Sequence, residues 1–140
     1  MYRRGITLLE LLVVLAVIGV LATLTVPAYQ RHLVRVNRTE ATVALYALAV
    51  AQERFHLRHG SYAAALAPQP PAGLGLATAT EGGHYVLSIA LASDGQSFIA
   101  TASPSRDGSQ ASDSECLAFS IDHRGRRAVS GAGDSAACWR

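Results

Sequence analysis

Ile6-Thr7-Leu8-Leu9-Glu10-Leu11-Leu12-Val13-Val14-Leu15-Ala16-Val17-Ile18-Gly19-Val20-Leu21-Ala22-Thr23-Leu24-Thr25-Val26 is a run of twenty-one residues in which only Thr7, Glu10, Gly19, Thr23 and Thr25 interrupt apolar side chains. As a helix it is about 31 Å long, enough to cross a bilayer. The basic pair Arg3 and Arg4 before it suits a cytoplasmic N-terminus, while Arg31, Arg35 and Arg38 beyond it weaken that charge bias. An ordinary secretory signal has a similar start, but Val26-Pro27-Ala28-Tyr29-Gln30-Arg31 offers no convincing small-x-small cleavage site, and helical periodicity continues past it.

Downstream the helix changes character. At 100° per residue, Tyr29, Leu33, Val36, Ala44, Ala47, Leu48, Ala51 and Phe55 are expected on one face, with Arg31, Arg35 and Arg38 opposite. The Ala-rich stretch 41–51 favours helix, and Gly60 after His59 is the expected stop. Residues 61–83 hold Pro68, Pro70, Pro71 and four glycines without a sustained period, and read as a connecting loop. Strand signals follow at His84–Leu91, Ser97–Ala102, Cys116–Ile121 and Arg126–Val129, with turns at 93–96 and 122–125. A small antiparallel sheet has a face to bury, and the amphipathic half of the helix is the only long element to cover it. The expected class is α+β, a long N-terminal helix packed on a small sheet, and the apolar half of the helix requires lipid or other subunits as cover.

Composition narrows the function. The chain has 140 residues, its twelve basic residues are all arginine, and ten acids nearly cancel them. That balance gives no broad basic face for nucleic acid; Arg124, Arg126 and Arg127 keep weak DNA or ligand contact in view. Cys116 and Cys138, in a chain with an N-terminal export or membrane signal, favour one disulfide formed in an oxidising compartment. Zinc is the poorer reading, since no CxxC spacing accompanies them and only His123 lies between. The histidines His32, His56, His59, His84 and His123 bring no HExxH motif, and no GxSxG elbow occurs, so no catalytic, cofactor or metal site is expected.

Gly5 followed by Ile6-Thr7-Leu8-Leu9-Glu10-Leu11, preceded by Arg3-Arg4 and continued by the apolar helix, resembles the type IV pilin signature at its processing site. The resemblance implies cleavage after Gly5 by a prepilin peptidase, removing a leader of residues 1–5, and methylation of the new amine at Ile6. Family members most often carry Phe or Met there. It further implies that residues 6–28 serve as membrane span and polymerisation segment, and that residues 29–140 form a periplasmic globular domain. Glu10, a carboxylate in a hydrocarbon-facing helix, needs a cation. The resemblance supplies one, the N-terminal amine of a neighbouring subunit, which would set axial register. Gly19 and Pro27 both lower helix stability, and a kink or local melting is expected there. The resemblance implies that this segment unwinds on passage from membrane to filament.

Cys116 and Cys138 match the C-terminal disulfide loop of pilins, and Ala137-Cys138-Trp139-Arg140 resembles the tail of minor pilins of the PilE type. The implied protein is a non-enzymatic minor pilin, held in the inner membrane and then packed into a cell-surface pilus. Its partners would be other pilin subunits, the peptidase and the inner-membrane assembly machinery. A type II secretion pseudopilin is the alternative within the class, to which calcium bound near Asp107, Asp113 and Glu115 would point. A membrane-anchored DNA- or ligand-binding module is the alternative outside it.

Overall fold

A computed structural model describes residues 7–140. The chain divides between Leu33 and Val34 into two compact units. Helix α1 runs Leu8–His59. It is followed by strands β1 (Tyr85–Leu91), β2 (Phe98–Pro104), β3 (Ala118–Asp122) and β4 (Arg127–Ser130), and by a short helix α2 (Ser135–Cys138). The strands form one antiparallel sheet in the order β1-β2-β3-β4, each paired with its neighbour in sequence. This is the expected α+β arrangement.

In the N-terminal unit the side chains of Leu8–Val26 are exposed, with Leu8 at 84% and Leu24 at 69%. Helix α1 is continuous through Gly19 and Pro27, so neither residue interrupts it in this structure. Proline removes the hydrogen bond its own N–H would have made and crowds the carbonyl four residues back, and the helix nevertheless runs on past it. The threonines in the span bond back to the helix, Thr23 Oγ1 to the Val20 carbonyl at 2.7 Å and Thr25 Oγ1 to the Leu21 carbonyl at 3.1 Å. Their hydroxyls are thus satisfied without water, as a hydrocarbon environment demands.

In the second unit α1 buries Ala41, Leu45, Leu48, Gln52 and Phe55. Their alternating spacing of four and three is that of one helix face. This corrects the expected face, of which Leu48 and Phe55 are buried while Tyr29, Leu33, Val36 and Ala47 are exposed. The stripe is rotated by about 80° from the position apolar content suggests. The reason is that α1 is apolar on more than one side, with Val43, Tyr46 and Val50 exposed as well. Arg38, expected on the solvent side, lies at the edge of the buried stripe.

The sheet presents Tyr85 and Leu87 from β1, Phe98, Ala100 and Ala102 from β2, and Phe119 and Ile121 from β3 to the core. Tyr85 and Phe119, on either side of β2, meet edge-on with ring centroids 5.9 Å apart. Ala102, cross-strand partner of Phe119, is small enough to lie beneath that contact. Gly60 ends α1 with φ of 75°, a left-handed conformation that glycine adopts without strain. The segment 61–83 is not an unpacked loop, since Tyr62, Ala63 and Leu66 are buried and Ala79 bridges to Val86.

Two further differences concern the polar stretch and the tail. A 3-10 turn forms at Ser109–Ser112, and β3 starts at Ala118, two residues beyond Cys116, which forms the disulfide with Cys138. In the chain-entropy picture that closed loop stabilises the fold by about 3 kcal/mol. The tail packs tightly inside it, where a Cβ on Gly131 would collide with the Glu115 carbonyl.

The rotated face separates two alanine substitutions on the same helix. Leu45→Ala should destabilise the full chain by about 3 kcal/mol, and Val36→Ala by no more than about 0.5 kcal/mol, in denaturant titrations in detergent. The reverse order would restore the face expected from the sequence.

Candidate functional site

The N-terminal unit offers one polar group amid its apolar surface. Glu10 stands in the first turn of α1, where a carboxylate suits the positive end of the helix dipole. Its N–H donates to Thr7 Oγ1 at 3.2 Å. Among the described residues no basic side chain pairs with its carboxylate. Gly5 and Ile6, the expected cleavage and methylation positions, lie outside the described residues.

The second unit is organised around a polar clamp that sequence reasoning missed. Arg38 donates two hydrogen bonds to Asp113, from Nε to Oδ2 at 2.7 Å and from one terminal nitrogen to Oδ1 at 2.8 Å, with Glu115 Oε2 at 3.4 Å. The Asp113 side chain is only 3% exposed. Its Oδ1 also accepts from the Cys116 N–H at 3.2 Å, so one carboxylate joins the helix to the disulfide region. The hydrogen bonds to Asp113 raise the Arg38 pKa, with burial opposing them. Beside this pair Gln110 donates from Nε2 to the Tyr85 hydroxyl at 2.8 Å and to the Val34 carbonyl at 3.1 Å. Burial raises the Tyr85 pKa, against the hydrogen bond from Gln110. With Asp113 and Glu115 engaged by Arg38, these acids are not arranged as a loop for calcium.

Gln52, wholly buried on α1, acts as a substitute for a strand neighbour. It donates to the Ala63 carbonyl and accepts from the Ala63 N–H, both at 2.8 Å. A polar residue inside an otherwise apolar stripe was the available signal for it.

The histidines have separate environments. His56 lies 3.1 Å from Gln96 Oε1 and stacks on Tyr62, His59 Nδ1 lies 2.9 Å from the Phe55 carbonyl, His84 sits 3.9 Å from Glu40, and His123 contacts Arg124. Among the described residues no group of three or more His, Cys, Asp or Glu side chains could hold a metal.

At the β3–β4 hairpin Asp122 Oδ1 accepts from the N–H groups of Arg124 at 3.0 Å and Arg126 at 2.9 Å, and its Oδ2 accepts from Arg126 Nε at 2.6 Å. Burial pushes the Asp122 carboxyl up, and these bonds outweigh it and hold the pKa below its ordinary value. Arg127 donates to the Tyr46 hydroxyl at 3.0 Å and lies over the Trp139 ring. Trp139 in turn donates from Nε1 to the Ala128 carbonyl at 3.1 Å, which makes it a packing residue of the tail.

The family model described as type IV minor pilin ComP, DNA uptake sequence receptor, matches residues 27–120, and a prokaryotic N-terminal methylation motif matches residues 1–26. The chain belongs to the type IV pilins. Among relatives of this pilin, a fimbrial protein of Neisseria meningitidis serogroup B is 34% identical over 88 residues, covering 62% of this chain and 49% of that protein. Fimbrial protein EcpC of Eikenella corrodens is 33% identical over 100 residues, covering 71% and 61%. This pilin spans about half the length of the first curated relatives it matches. A solved type IV pilin from Shewanella oneidensis is similar at 28% identity and a TM-score of 0.48, over 67% of this chain and 89% of that one. The family is one of structural subunits, carried here on a helix apolar and long enough to cross a membrane.

The clamp makes a falsifiable demand on this pilin. Asp113→Asn should cost about 3 kcal/mol by leaving a half-buried guanidinium without its anion, and the double change Arg38→Met with Asp113→Leu should cost less than that single change. Additive losses in a denaturation cycle would show that the pair is not coupled.

Proposed function

We propose that this protein is a minor subunit of a type IV pilus. It is cut after Gly5 by a prepilin peptidase and methylated at Ile6. Residues 6–28 hold it in the inner membrane with residues 29–140 in the periplasm, and inner-membrane assembly machinery passes it to a filament on the cell surface. The observation that carries this reading is the exposed apolar surface of Leu8–Val26, with Glu10 as an acid that no basic side chain pairs among the described residues. Water does not tolerate such a surface, and lipid does not tolerate such an acid unpaired. A bundle of like helices answers both demands, the apolar surface by packing and Glu10 by the N-terminal amine of a neighbour. Gly19 and Pro27 are the places where the helix would unwind on leaving the membrane.

Intact mass of the mature chain should show loss of residues 1–5 and addition of a methyl group, and Glu10→Ala should enter the membrane normally yet be depleted about tenfold in sheared filaments, as loss of roughly 1.4 kcal/mol of pairing predicts. Full incorporation of that variant would refute the register role, and retention of Met1–Gly5 in a peptidase-competent host would refute the leader.

A second reading, capture of DNA by the same subunit, is favoured by the description of the matched family as a DNA uptake sequence receptor. Arg54, Arg58 and His59 surround a hollow of about 270 Å³ walled by Phe55, Leu74 and Leu76. Among the described residues no carboxylate pairs with Arg54 or Arg58. If three phosphates are contacted there, affinity of the full chain for duplex DNA should fall about fortyfold between 50 and 200 mM salt. Arg54→Ala with Arg58→Ala should flatten that slope, and salt-independent retention of DNA would exclude this mode of binding.

A further inference from the structure

Three arginines and a histidine follow the apolar run closely. Arg31, His32, Arg35 and Arg38 stand between Val26 and Glu40, and no acid occurs from Leu11 to Thr39. Arg38 is taken up by Asp113. Arg31, His32 and Arg35 are exposed, and among the described residues no carboxylate pairs with them. Basic residues ordinarily concentrate on the cytoplasmic side of a span. An excess at this end opposes the orientation that places residues 29–140 in the periplasm, and so needs its own explanation.

Depth supplies one. At a rise of about 1.5 Å per residue Arg31 lies about 7.5 Å beyond Val26, the depth of the polar headgroups once the apolar run fills the hydrocarbon layer. Tyr29, 64% exposed, lies a little nearer the hydrocarbon, where amphipathic rings collect. Helical side chains lean towards the N-terminus, so arginines placed after a span reach back towards it. Arg31 shows that reach, its Nε donating to the Pro27 carbonyl at 3.3 Å, one turn nearer the span. Its two terminal nitrogens make no hydrogen bond among the described residues. They form a planar set of donors, the geometry that takes phosphate oxygens. Arg35 follows one turn on along the same helix, about 40° round, and adds a second guanidinium.

We propose that Arg31 and Arg35 bind the phosphate of an anionic phospholipid, of the phosphatidylglycerol class, in the periplasmic leaflet of the inner membrane. The inference rests on the reading of residues 6–28 as a membrane span. Lipid fits better than free phosphate or DNA, because these guanidinium groups sit at headgroup depth beside an aromatic ring. An anionic lipid fits better than a zwitterionic one, because residues 11–39 offer no carboxylate to receive a headgroup ammonium. The contact breaks when the subunit leaves the bilayer. The anionic lipid content of the membrane therefore sets how readily the subunit is released.

The full chain is inserted into phosphatidylcholine vesicles holding a trace of photoactivatable phosphatidylglycerol or, separately, photoactivatable phosphatidylcholine, and lipid cross-linked within residues 27–38 is measured. Wild type should prefer phosphatidylglycerol. Arg31→Gln should lower that preference about fivefold, and adding Arg35→Gln about fivefold again. Arg3 and Arg4 are common to all these chains and cancel in the comparison. Arg31→Lys with Arg35→Lys keeps the charge and should keep most of the preference. Equal preference in wild type and the double glutamine variant overturns the contact and leaves the membrane reading standing. Equal loss in the lysine variant overturns it as well, because charge is then not what the lipid meets. Release of wild type from the vesicles by alkaline carbonate overturns the membrane reading and the contact together. Inorganic phosphate or duplex DNA that suppresses the cross-link at constant ionic strength overturns the lipid assignment, and DNA retained by wild type but not by the double glutamine variant gives these arginines to nucleic acid.

Discussion

A half-buried guanidinium held by a buried carboxylate ties the globular unit together. Arg38 reaches Asp113 across seventy-five positions of sequence, and Asp113 in turn accepts from the backbone at Cys116. Taking both charges out of water is tolerable only because the fork and the carboxylate match in two hydrogen bonds and the remaining acceptor capacity is used by backbone N–H groups. The pair fixes the rotation of α1. Had the stripe centred on Val36 and Val43 been buried, Arg38 would face water and Asp113 would be orphaned beneath the tail. The apolar content of the helix is close to indifferent between these rotations, and the polar pair decides.

The same interaction explains what could and could not be seen in the amino-acid order. The apolar run 6–26, the stop at Gly60 and the four strands were legible because each depends on local periodicity and turn chemistry. The rotation of α1 was not, since Val43, Tyr46 and Val50 compete with Leu45, Leu48 and Phe55 for the core, and periodicity cannot rank two apolar faces. Nor could spacing show that Gln52 and Gln110 are core residues, because their partners, Ala63 and Tyr85, are defined only by the tertiary fold. Asp113 and Glu115 looked like free acids in a polar stretch for the same reason. The acid at position 10 was legible in the other direction, by its conflict with everything around it.

Function in this family divides along the chain. The first part of α1 contributes surface that other molecules must cover, and the sequence there is nearly free of features except at Glu10, Gly19 and Pro27. The second part contributes an individual face. Its charges are few, and their placement matters more than their number. Arginines gather at the β3–β4 hairpin and just beyond the apolar run, so a chain of almost neutral net charge still has direction.

The bond between Cys116 and Cys138 encloses both β3 and β4, together with the glycine-rich turn and α2. Severing any peptide link within that ring yields two pieces that are still one molecule, each tethered through sulfur to the other. The tail is thereby protected against loss by proteolytic nicking, independently of how firmly it packs. A subunit displayed outside the cell could be clipped there and keep its place.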